Sequence, residues 1–174
     1  RPRRQRRRPR RQPQPGIVVV QRPTSTGTPL VVADVVITQG QFQQALDARL
    51  AGATSVAGAQ VSLQPEGVNV QLTAQTGQAF VTGTILVRFE LLGDASGLNN
   101  VLQIQPAAPD AFVMQGGGFP PDAFIEIAYS TLFEGVVGAF DDILNARLGE
   151  GRHDLEWLRI EGGQMLISLL VPEP

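Results

Sequence analysis

Residues able to do chemistry are few in this chain. The one histidine, His153, sits in a polar Gly151-Arg152-His153-Asp154 stretch, the setting of a solvated surface side chain. There is no cysteine, which excludes disulfides, thiolate metal sites and a cysteine nucleophile. A zinc site would need carboxylates at ligand spacing, and no such spacing occurs. Asp141 and Asp142 are adjacent on a predicted helix, so they point about 100° apart and cannot share one bond or ion. Ser130 has no Gly-x-Ser-x-Gly context. The Gly116-Gly117-Gly118 run lacks the Lys-Ser/Thr sequel of a phosphate cradle and reads as a mobile approach to a helix. The expectation is a protein that is not an enzyme, with no cofactor and no metal.

Charge is distributed unevenly. All 14 basic residues are Arg, and eight fall in residues 1–11. From Gln12 onward six Arg face 16 acidic residues, a formal charge of −10. Residues 1–29 are therefore expected to be a disordered Arg/Pro-rich tail and linker, and 30–174 a single folded domain. Arg3, Arg4, Arg6, Arg7, Arg8, Arg10 and Arg11 are candidates for contact with an anionic membrane surface. Nucleic acid is not the expected partner: no aromatic residue interleaves the arginines, and the acidic remainder repels phosphate. No run of about 20 consecutive apolar residues is present, so no membrane span is expected.

The elements that must position any site are organised around residues 120–148. Pro120 and Pro121 suit a helix start, and Asp122 and Glu126 complement the positive end of its dipole. Apolar residues then recur at three- and four-residue spacing from Phe124 to Leu148, and a second stripe (Ile125, Tyr129, Phe133, Val137) widens the arc. Unbroken, such a helix would be about 40 Å long, with Gly135 and Gly138 able to bend it and Gly149 able to end it. A shorter helix is predicted from a Thr38/Gln41 capping box to Leu50, burying Phe42, Ala45, Leu46 and Leu50. Arg49 adjoins that face and is expected to lay its stem along the core edge.

Most of the rest reads as strand. Leu30–Ile37 is rich in Val, and Val61/Leu63 and Val68/Val70/Leu72 alternate around a Gln64-Pro65-Glu66-Gly67 turn. Residues 81–91 alternate most cleanly, one face apolar and one polar. Residues 98–105 and 111–115 give two further strands, and residues 155–171 a closing hairpin about Glu161-Gly162-Gly163-Gln164. Its last strand is apolar enough to be buried on both faces. The segment Ala45–Leu50 resembles Ile143–Leu148, each closing a helix that a hairpin follows. That echo suggests two helix-plus-hairpin units on one antiparallel sheet.

The fold class expected is α+β: a curved antiparallel sheet wrapped around one long C-terminal helix, with a shorter N-terminal helix. Phe42, Leu46, Ile85, Val87, Phe89, Phe133, Val137, Phe140 and Leu144 are candidates to line a groove for an acyl chain. They are equally what an ordinary core requires, and the two possibilities differ in whether a gap is left between sheet and helix.

Val36–Leu46 (Val-Ile-Thr-Gln-Gly-Gln-Phe-Gln-Gln-Ala-Leu), Val61-x-Leu63 with Glu66-Gly67-Val68, and the strand from Val81 through Gly83-Thr84 carry a resemblance. With the Phe119-Pro120 lead-in to the long helix and the closing strand–Glu161-Gly162-Gly163–strand, residues 30–171 resemble the LmeA-like phospholipid-binding domains of bacterial envelopes. That resemblance implies a non-catalytic, extracytoplasmic, membrane-tethered or membrane-associated protein whose partner is a lipid or other acyl ligand. The alternative is a scaffold or interaction domain with a filled core, acting through its acidic surface or basic tail.

Overall fold

The computed structural model describes residues 17–18, 30–93, 100–107, 113–115, 120–150 and 154–172. The Arg-rich tail with its seven candidate contacts, Gly116–Gly118 and His153 lie outside the described residues. A two-residue strand β1 (Ile17–Val18) is followed by β2 (Leu30–Thr38), which runs directly into α1 (Gln39–Leu50). The junction is the predicted capping box. The Thr38 hydroxyl accepts from the Gln41 backbone N–H (3.3 Å), and the Gln41 side-chain oxygen accepts from the Thr38 N–H (3.0 Å). Phe42, Leu46 and Leu50, four residues apart, form the buried stripe of α1.

Strands β3 (Val56–Gln64) and β4 (Gly67–Thr76) make the predicted hairpin, with Gln64 opposite Gly67 across Pro65-Glu66. Gly67 (φ +148°) starts β4 where a Cβ would lie 2.3 Å from the Val87 carbonyl oxygen, so only glycine fits. Strand β5 (Ala79–Gly93) buries Val81, Gly83, Ile85, Val87 and Phe89 and turns its even positions outward. Strands β6 (Asn100–Pro106) and β7 (Val113–Gln115) both pair with β5, and β8 (Asp154–Glu161) and β9 (Gln164–Pro172) close the chain.

The fold is α+β, with antiparallel strands, a short helix and a long one. The two hairpins do not share a sheet, however. One sheet runs β1-β6-β5-β4-β3 with β7 on β5; the other runs β2-β9-β8. The pairing exchanges strands between the two halves of the chain. β2 leads α1, β3 and β4 but pairs with β9, while β5, which opens the second half, pairs with β4. β8 runs beside β3, β5 and β6, and the Asn100 amide donates to the Leu155 carbonyl (2.7 Å) across the seam. Strand β9, central in its sheet, buries Met165, Ile167 and Leu169 on one face and Ser168 on the other, where Leu166 and Leu170 are half-buried.

The long helix, α2, spans Pro121–Leu148. Ala123 and Phe124 donate to the Pro120 carbonyl at its start, and Gly149 (φ +84°) donates to Asn145 at its end. Between α-helical ends, Ala128–Phe133 widens into a π-helical turn. Ser130 explains where: its hydroxyl donates to the Glu126 carbonyl (2.7 Å), the oxygen that an i→i−4 backbone bond from Ser130 would use.

Gly135 and Gly138 do not bend the helix, which is continuous from Glu134 to Leu148. They admit α1 instead. A Cβ on Gly135 would lie 3.1 Å from Leu50 and 3.2 Å from Leu46, and one on Gly138 2.9 Å from the Arg49 guanidinium carbon. By length and composition α2 is apolar enough to cross a membrane, a property that no single unbroken run revealed, but 44% of its most apolar 18-residue window is buried inside the fold.

Candidate functional site

The nine candidate groove residues come together at the centre of the molecule. Phe42, Leu46, Ile85, Val87, Phe89, Phe133, Phe140 and Leu144 are all buried, and Val137 is half-buried against them. Phe89 of β5 is held between one ring from each helix. Phe42 of α1 meets it edge-on at 6.4 Å and 86°, and Phe140 of α2 at 5.2 Å and 61°. Such tilted pairs place a ring edge against a neighbouring face and stabilise by about 0.5–1.5 kcal/mol beyond area burial. Phe42 and Phe140 are 98 positions apart, the spacing of the Ala45–Leu50 and Ile143–Leu148 segments, so the echo extends one turn further back.

Phe89, 9% exposed, also borders a cleft. A cleft of about 210 Å³ is lined by Pro65, Glu66 and Gly67 of the β3–β4 tip, by Phe89, and by Leu158, Arg159 and Ile160 of β8. Of the nine candidates only Phe89 lines it. The other lining residues escape sequence reasoning because the cleft joins two sheets, and pairing across that seam leaves no periodic trace along the chain. Arg159 pairs with Glu161 (3.2 Å) and its guanidinium lies 5.3 Å from the centre of the Trp157 ring. Both contacts hold the guanidinium on the outer face of β8, which Trp157 and Glu161 share, opposite Leu158 and Ile160.

The chemistry-bearing residues are otherwise engaged in structure. Arg49 crosses Gly138 and forks onto both carboxylate oxygens of Asp142. The hydrogen bond from Arg49 holds the Asp142 carboxyl below the usual carboxylate range against some loss of solvation, and the same bond raises Arg49. Asp141 accepts from the Asn145 amide (3.2 Å). The Ser130 hydroxyl gives its proton to a helix carbonyl. Among the described residues no group of three or more His, Cys, Asp or Glu is arranged to hold a metal.

No family model, no curated protein and no solved structure matches the chain. The resemblance to LmeA-like domains therefore stands on the turn and strand features of the sequence alone.

Proposed function

We propose that this domain binds the acyl chain of a lipid without catalysis, taking it in at the cleft above Phe89. The observation that carries this reading is the double role of Phe89, centre of the interhelical aromatic stack and floor of an open cleft. The long helix adds support: less than half of its most apolar window is buried, leaving Ile125 39% exposed and Ile127 and Val137 half-buried. A cleft of about 210 Å³ is smaller than the roughly 300–1,000 Å³ of drug-sized sites. A whole chain therefore requires β8 to part from the β3–β4 tip, in a minor state that the ligand then populates. A bacterial envelope location belongs to the same proposal and is supported by the sequence resemblance.

Denaturing extraction of the purified protein followed by lipid mass spectrometry is expected to recover a stoichiometric acyl lipid. Recovery of none, together with no uptake of a fluorescent fatty acid, would overturn the assignment. One observation favours the alternative of an interaction domain acting through its acidic surface or basic tail: eight of the nine candidates are buried and in mutual contact as a filled core. In that case the extraction yields no lipid and the cleft stays at its present size.

A further inference from the structure

We infer that the free edge of β2 is a pairing surface for a second copy of this chain, the two β2 strands adding antiparallel about a two-fold axis. Strands β3, β8 and β2 each lie at the end of a sheet. Such edges carry unpaired backbone groups, which folded proteins cover or guard. Two of the three are covered. Gln43 of α1 plugs β3, its Nε2 donating to the Ala59 carbonyl (2.8 Å) and its Oε1 accepting from the Val61 N–H (2.7 Å). Gln39 accepts from the Leu63 N–H one pair further on (3.4 Å). β8 lies beside strands of the other sheet, and its Leu155 carbonyl accepts from the Asn100 amide.

β2 has no such cover. Among the described residues no strand pairs its outer edge, and no side chain bonds to its backbone before the cap at Thr38. It runs against β9 for nine residues without a bulge and contains neither proline nor lysine. Val31, Val32 and Val36 are exposed along it, Val32 by 61%.

A second copy fits this edge in three respects. Nine residues paired antiparallel exchange about eight to ten backbone hydrogen bonds, close to the ten or so of a specific interface. A two-fold through Asp34 uses the whole strand and sets Val32 of each copy opposite Val36 of the other, on the face away from buried Val35 and Ile37. The net charge of −2 on the full chain opposes association little. Asp34, the strand's single charge, then meets its own copy across the axis. Like charges placed opposite weaken a strand pair, so the dimer is dissociable.

The test is sedimentation velocity of the purified full chain over a concentration series, with amide hydrogen exchange at its two ends. A monomer–dimer equilibrium is expected. Residues 30–38 should gain protection at high concentration, because amides turned away from β9 become bonded only in the dimer. The double variant Val32→Glu, Val36→Glu sets carboxylates against each other and is expected to weaken the dimer about tenfold or more. Both side chains are exposed, and an unchanged thermal midpoint verifies folding. Asp34→Asn removes the central repulsion and is expected to tighten the dimer about two- to fivefold.

A monomer at every concentration, or a dimer whose added protection lies outside residues 30–38, overturns the inference. So does a dimer that the folded double variant leaves intact. No tightening in Asp34→Asn overturns the axis through Asp34. None of these readouts depends on acyl uptake, so the lipid reading stands or falls separately.

Discussion

The two helix-and-hairpin units, α1-β3-β4 and α2-β8-β9, place a phenylalanine at the same position before the helix end and bend the following hairpin with a bulge near its base. They part company beyond the bulge. The register shifts between Val56 and Gly58 in the first hairpin and between Leu155 and Trp157 in the second, after which the first runs seven cross-strand pairs to its turn and the second five. The shorter hairpin closes through Gly162 and Gly163, both at positive φ (+59° and +72°), the backbone of a tight primed turn. The longer one closes through Pro65-Glu66 and reaches far enough for its tip to form one wall of the cleft that β8 faces. The candidate site thus arises from the inequality of two otherwise similar units.

The sheets around them differ in cover as well. β3 and β4 belong to the larger sheet, whereas β8 and β9 share theirs with β2 alone and leave Val32 61% and Trp157 42% exposed on its outer side.

Breaking the symmetric part should have the largest effect. Phe42→Ala and Phe140→Ala should each destabilise by about 3–5 kcal/mol in chemical denaturation, as deletion of buried aromatic rings does. Because both rings rest on Phe89, the double variant should lose less or more than the sum of the singles, whereas independent sites would add. The unequal part comes next. Gly67→Ala must move the Val87 carbonyl and should lower stability by more than about 2 kcal/mol. Gly162→Ala meets nothing within 4 Å and should lose only about 1 kcal/mol, from its left-handed backbone. Equal thermal shifts for the two glycines would contradict the difference in turn construction.

The smallest effect belongs to the helix–helix clasp. Asp142→Asn should destabilise by no more than about 1 kcal/mol at neutral pH, because the pair with Arg49 is nearly half exposed. The folded-state carboxyl is held low, so its contribution is present above the ordinary aspartate value of about 3.9 and fades as pH falls through the lowered one. Wild type and variant should therefore converge in acid, measured as denaturation midpoints across a pH series.

Much of the fold was legible because its signals are local. The Thr38/Gln41 cap, the alternation through residues 81–91, the turns at Pro65 and Gly162 and the extent of the long helix each depend on neighbours within a few residues. The split into two sheets was not legible, since β2 pairs with a strand more than 120 residues away, with nothing local in either to announce it. Gly135 and Gly138 read as hinges because a glycine's neighbour on another helix is invisible along the chain. Arg49 was expected along a core edge, and its partner Asp142, 93 positions on, left no trace in the sequence. The nine groove candidates were identified as a cluster, and the cleft itself was missed except for Phe89, because its remaining walls come from a turn and an edge strand in different sheets.

The most direct measurement is a titration of the full chain with a fluorescent fatty acid, beside a Leu158→Trp variant that fills the cleft from a half-buried position. Acyl binding above Phe89 predicts saturable one-to-one uptake by the wild type and its loss in a folded variant. No uptake by the wild type, or equal uptake by both proteins, would contradict it.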